Sequence, residues 1–289
     1  MEEKIGLVLE GGGMRGAYTA GALAWLNDHN VTFDYNVGIS SGAVYLCCYL
    51  MGDKHTPYNM SVHYAAESDT VGLKALVKEG HYVAYSRIFE EDLKKREHMT
   101  IEPILEKKPD VEVGAYVLEH GRTEYFGPDD MDPDMKLLLG TCALPIASAV
   151  VEYKGMHLLD GGITKMIPIE RAQEKKCTKY FVITTKPADY VRKPANPVIK
   201  FLMKHVYSQY PQVAKDYAVR HLNYYHQVGI IDRLVEEGKA MHFRPSKDIK
   251  VSRFHGDVEN CQKLYDLGYS DLEDQKDQIF AFLQKETQQ

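Results

Sequence analysis

Two strand-to-helix turns, each built on glycine, fall within the first fifty residues and set the fold. Ile5–Leu9 is a short apolar run that stops at Glu10-Gly11-Gly12-Gly13, and an Ala-rich helical stretch follows from about Arg15 to Asn27. Tyr35–Ile39 is a second short apolar run, and Ser41–Met51 is small and apolar throughout, as a buried helix is. Strand–helix–strand–helix in this order is the signature of a parallel sheet covered by helices.

The rest of the chain extends that pattern. Residues 55–109 are polar with helical spacing, include the charged stretch Glu90–Glu97, and read as a cap or lid of helices. Glu112–Leu118 and Thr123–Phe126 alternate as strands do, joined by Glu119–Arg122. Met135–Thr141 is a helix that stops near Pro145, and Ala149–Tyr153 with Met156–Leu159 is a hairpin about Lys154-Gly155. A helix over Ile169–Lys175 and a strand over Tyr180–Thr184 follow. The two prolines in Lys193–Pro197 divide residues 1–192 from residues 193–289. The second part reads as helices over Val198–Val206 and Val213–Glu237, a strand over Ala240–Phe243, and helices over Asp257–Leu267 and Asp271–Gln284, packed on the same domain.

Composition narrows the function. With 35 Lys and Arg against 41 Asp and Glu the chain is net acidic, which argues against a nucleic-acid partner and against strong electrostatic adhesion to anionic membranes. Its five cysteines, Cys47, Cys48, Cys142, Cys177 and Cys261, are odd in number and lack zinc spacing. They read as free thiols in a reducing compartment. The N-terminus does not read as a signal peptide, and Ala143–Val151, the longest apolar run, is too short to span a bilayer. A cytoplasmic enzyme, at most peripheral at a membrane, is expected.

The chemistry concentrates in three short blocks. Gly38-Ile39-Ser40-Ser41-Gly42 matches G-x-S-x-G between a strand and a helix. A serine on such a sharp turn stands clear of the sheet, Gly38 and Gly42 remove clashes within the turn, and the helix from Ser41 aims its positive end at a developing oxyanion. Gly11-Gly12-Gly13-Met14-Arg15-Gly16 reads either as a dinucleotide loop, with Asp34 as ribose acid, or as a loop of bare N–H groups for an oxyanion. Asp34 stands before its strand instead of at the strand's end, and that strand ends in Ser40, so the oxyanion reading is the coherent one. No histidine has a catalytic setting: His157 lies on a strand, and His205, His221 and His226 lie on helices rich in Tyr and Lys. The other candidate base is Asp160, in Leu159-Asp160-Gly161-Gly162, where an Asp-Gly after a strand is by itself only a turn.

Taken together and in this order, the glycine loop with Arg15, the G-x-S-x-G and the Asp-Gly-Gly resemble the patatin-like phospholipase family. Thr141-Cys142-Ala143-Leu144-Pro145 is similar to another block of that family. The resemblance covers about residues 5–185 and implies a three-layer α/β/α sandwich with a mainly parallel sheet, followed by a helical C-terminal extension. It implies a Ser–Asp dyad without histidine, metal or cofactor. Ser40 would be the nucleophile, Asp160 the general base, and Gly11, Gly12 and Gly13 the oxyanion donors. Arg15 would either hold a head group or brace its loop, and Gly161 and Gly162 would complete the turn after the base. The implied substrate is a lipid or other fatty-acyl ester. A small-ester carboxylesterase or thioesterase, a transacylase, and a non-catalytic lipid binder are the alternatives. Many relatives carry Asn where Met166 stands here, a departure that bears on the wall of the site. The crowded tyrosines Tyr207, Tyr210, Tyr217, Tyr224 and Tyr225 read either as helix packing or as a lipid-facing wall.

Overall fold

The computed structural model describes residues 3–64, 70–254 and 256–284. Its centre is one mixed sheet of eight strands. In chain order these are β1 (Ile5–Leu9), β2 (Tyr35–Ile39), β3 (Val111–Val117), β4 (Arg122–Phe126), β5 (Val151–Tyr153), β6 (Met156–Asp160), β7 (Lys179–Ile183) and β8 (Ala240–Phe243). The strands β8, β7, β1, β2 and β3 pair parallel, each beside the next. The β5–β6 hairpin and β4 pair antiparallel.

The pairing around β3 places the functional residues. β4 occupies one edge of β3 from Val113 to Val117. A strand has only two edges, so β2 and β6 must share the other. β2 runs along it as far as Ile39 opposite Gly114, and β6 arrives from the opposite end and stops with Asp160 opposite Ala115. The carboxyl ends of β2 and β6 therefore meet head to head.

Helices cover both faces. They are α1 (Gly16–Asp28), α2 (Ser41–Leu50), α3 (His55–Tyr58), α4 (Leu73–Glu79), α5 (Tyr85–Arg87), α6 (Glu102–Lys107), α7 (Lys136–Cys142), α8 (Ile169–Glu174), α9 (Pro197–Val206), α10 (Pro211–Glu236), α11 (Val258–Glu273) and α12 (Lys276–Leu283). Alternation along β1 explains the two cores. Leu7 and Leu9 point into a cluster with α1, α2, α7 and α11, while Val8 joins Val37, Ile167, Ile169, Ile231 and Leu234 under α8 and α10. The result is a three-layer α/β/α sandwich.

The C-terminal part belongs to this body. β8 adds a parallel strand beside β7. α11 lies so close on α1 that a Cβ at Gly21 would stand 1.9 Å from Tyr265 O, and one at Gly268 2.1 Å from Tyr18 O. Buried Tyr18 donates to Asp271 across this contact. α11 runs unbroken to Glu273, past the interruption expected between Leu267 and Asp271, because Asp271 is held there by Tyr18 and Ser246.

The segment 55–109 is helical, as its spacing suggests, but not regularly so. Asn59–His63 and Ile88–Arg96 are wound as π-helix, a geometry that side-chain spacing alone does not announce. Residues 65–69 of this segment lie outside the described residues. All five cysteines are buried and free. Among the described residues, no helix is long and apolar enough to cross a membrane.

Candidate active site

Because Asp160 fills the place opposite Ala115, the chain leaving β2 cannot continue along β3. It turns out of the sheet at Ser40, whose φ of 55° and ψ of −132° are a conformation that side chains rarely adopt. The turn is held by its neighbours. Ser40 N–H donates to Thr141 Oγ1 at 3.0 Å, Thr141 donates in turn to Gly114 O, and Ser40 O accepts from Ala43 N–H at 2.9 Å. Glycine is needed on both sides. A Cβ at Gly38 would lie 2.9 Å from the Ala43 backbone, and one at Gly42 would lie 2.7 Å from Glu10 O.

Asp160 ends β6 with its side chain facing the same space. Its Oδ1 accepts from Gly162 N–H at 2.7 Å, and both Ser40 and Asp160 are buried. Gly161 permits the approach, since a Cβ there would stand 2.4 Å from Gly114 O. Ser40, Asp160, Gly11, Gly12, Gly13 and Gly162 line one cavity. Beside Ser40, the Cys142 thiol is pushed up by burial and by the Asp160 carboxylate, so it stays a neutral, packed neighbour.

The glycine loop lies against the serine: a Cβ at Gly11 would be 2.8 Å from Ser40 Cβ. Its amides are not equivalent. Gly11 N–H donates to Met166 O at 3.4 Å and Gly12 N–H to Ser41 Oγ at 3.0 Å. Gly13 (φ 59°) lines the same cavity as Ser40, and its N–H makes no hydrogen bond among the described residues. Met166 thus holds Gly11 through its main chain and lines the cavity.

Behind the loop, Glu10 is fully buried. Burial alone would raise its carboxyl, but Lys186 and Thr185 N–H outweigh this and hold it below the usual range. This pair ties the ends of β1 and β7 together. Arg15 points the same way, away from Ser40: its Nε donates to Val251 O at 3.1 Å, and it lines neither serine cavity. Its geometry is that of a brace.

A second, larger cavity of about 110 Å³ opens on Ser40 from the side of the 55–109 segment. Met60, Val71, Val83, Ile88, Phe89 and Leu93 from that segment face Met14, Val44 and Tyr45 across it. No described histidine lines either cavity; His157, for one, is outside, paired with Glu119.

Two side chains of the site carry no signal in the sequence. Arg220, on α10, donates to Gly162 O, and Arg253 packs against Gly13 while lining both cavities. They arrive from 180 and 213 residues beyond Ser40, in a region without motif.

A family model described as "Domain of unknown function (DUF6363)" matches residues 210–284. "Uncharacterized protein YjjU" of Escherichia coli (strain K12) is 23% identical over 206 residues, which are 66% of this chain and 54% of that protein. "Probable lipid hydrolase 463L" of Invertebrate iridescent virus 6 is 28% identical over 183 residues, 57% of this chain and 62% of that protein. The chain thus spans between about half and three fifths of these relatives' lengths. The crystal structure of VipD from Legionella pneumophila aligns with 96% of this chain and 67% of its own, with a TM-score of 0.50 at 11% identity, a likeness of fold. A model of the patatin-like phospholipases matches residues 7–172, more than half of the sequence and all three motif blocks, and the chain belongs to that family.

Proposed function

We propose that the protein hydrolyses carboxylic esters of fatty-acyl chains through an acyl-serine intermediate. The observation that carries this reading is the meeting of Ser40 and Asp160 on one edge of β3, where both line one small cavity and Ser40 also lines the apolar cavity beside it. Ser40 Oγ attacks the carbonyl carbon and passes its proton to Asp160. The tetrahedral oxygen is stabilised by Gly13 N–H and the first amide of α2. Collapse breaks the C–O bond, and Asp160 returns the proton to the leaving alcohol. Water, deprotonated by Asp160, then attacks the acyl carbon, the bond to Ser40 Oγ breaks, and Asp160 returns the proton to Ser40 as the acid leaves.

The apolar cavity under the 55–109 segment suits the acyl chain, and that segment is its cap. Five buried free thiols support a reducing, cytoplasmic setting. The test is labelling by a fluorophosphonate, with the adduct mapped by mass spectrometry. Label on Ser40, absent from Ser40→Ala and sharply reduced in folded Asp160→Asn, is the expected result. A folded Asp160→Asn that keeps most of its turnover would refute the dyad.

A further inference from the structure

We propose that Tyr85, carried into the site by the 55–109 segment, is a further catalytic residue: its hydroxyl donates a hydrogen bond to the alcohol oxygen of the ester as the C–O bond breaks. The inference rests on the acyl-hydrolase reading and deepens it.

Among the described residues, Gly13, Ser40, Tyr85 and Arg253 line both serine cavities. They mark the junction of the two, where a carbonyl attacked by Ser40 has to lie. Arg253 belongs to the side of the glycine loop, its Cγ 2.8 Å from the place of a Cβ at Gly13. Tyr85 approaches from α7, since it also lines a third cavity with Leu139 and Ala143. It is the one described residue of 55–109 that reaches the small cavity holding Asp160.

The turn after α7 fixes Tyr85 and Asp160 together. Asp160 N–H donates to Ala143 O at 2.7 Å, and Val83 N–H, two residues before Tyr85, donates to Ala147 O at 2.8 Å. Ala84 N–H donates to Thr70 O at 2.9 Å, so the same short stretch is tied to the cap as well.

The Tyr85 ring packs on the core, while its hydroxyl makes no hydrogen bond among the described residues. Burial, then the neighbouring Cys142 and Asp160, push the phenol up, so it keeps its proton and is a donor.

Chemistry decides which oxygen it serves. An ester presents two, and the carbonyl oxygen is already met by the glycine loop and α2. The alcohol oxygen gathers negative charge as its bond to carbon breaks. In that step the bond from Ser40 Oγ to the acyl carbon stays, the electron pair of the breaking bond goes to the alcohol oxygen, and the proton held by Asp160 passes to it. Tyr85 keeps its own proton and steadies the developing charge. Because this donor belongs to the cap, the site is complete only with the cap in place.

The test compares ethyl hexanoate with para-nitrophenyl hexanoate, which share an acyl group and differ in the leaving oxygen. Tyr85→Phe keeps the ring and its packing. In that variant kcat/KM should fall by about tenfold or more for the ethyl ester, and by less than about threefold for the nitrophenyl ester, whose phenolate leaves without help. An equal fall on both esters would assign Tyr85 to packing and overturn the inference, as would no fall on either; the hydrolase reading stands in both cases. Turnover of neither ester by the unaltered protein, with no fluorophosphonate label on Ser40, would overturn both.

Discussion

Replacing Ser40 by Gly and by Ala separates the strain of the turn from its chemistry. Both variants lack the hydroxyl, so both lose turnover. They differ in backbone freedom at a residue held at φ 55°, ψ −132°. Alanine keeps the Cβ and with it a conformational cost of about 1–3 kcal/mol. Glycine removes that cost but loses about 0.5–1 kcal/mol through the greater freedom of its unfolded chain. The balance favours Ser40→Gly over Ser40→Ala by roughly 0.5–2 kcal/mol. At about 2.1 cal/mol/K per residue, unfolding 289 residues carries roughly 0.6 kcal/mol/K, so the glycine variant should melt about 1–3 °C higher. Scanning calorimetry on the two variants side by side resolves this. A Ser40→Gly protein that melts at or below Ser40→Ala would show that the elbow stores no strain.

Other perturbations probe the surroundings. Gly42→Ala places a Cβ 2.7 Å from Glu10 O, which should destabilise by about 1–3 kcal/mol and abolish fluorophosphonate labelling; denaturant melts and labelling read both. His242, beside Thr184 at 2.9 Å, is pushed down to about 4 by burial and by Arg244. The folded state therefore refuses a proton that the unfolded chain accepts between pH 6.5 and 4, and stability, full above that window, should fall across it by up to roughly 3 kcal/mol. In His242→Gln the fall over that window should be shallower in pH-resolved melts. On α9, Val198, Phe201 and Val206 are exposed beside Lys200 and Lys204. Sedimentation with phosphatidylglycerol vesicles should show binding that Phe201→Ser weakens by about tenfold, the worth of one buried aromatic at an interface.

The parts of the fold legible in the sequence are those fixed by local patterns. β1, β2, α1 and α2 lie within a residue or so of their expected bounds, because an apolar run ending in glycine and followed by small residues has few other uses. The two glycines flanking Ser40 were readable for the same reason, and the crowding of Gly38 and Gly42 shows what they relieve. The π-wound stretches of the cap were not, since side-chain spacing does not separate one helical winding from another over a few turns. Arg15 was visible within its motif, but its direction toward Val251 depends on a loop 236 residues away. Arg220 and Arg253 carried no local mark. A lone arginine on a long polar helix, or in a loop, looks like any solvated charge until the fold returns it to the site.

The proposed dyad follows from topology more than from any single residue. In a three-membered catalytic unit the base is oriented by a further side chain. Here the orienting partner is backbone: Gly162 N–H fixes Asp160 Oδ1, two residues along the same turn. Such a turn could not be built with a larger residue at Gly161, whose Cβ would run into Gly114 O. Gly114 is also the residue opposite the last of β2, so one short stretch of β3 sets where the nucleophile leaves the sheet and where the base enters it. Their separation is thus held by main-chain hydrogen bonds of the central sheet. No histidine or second acid is needed to position Asp160.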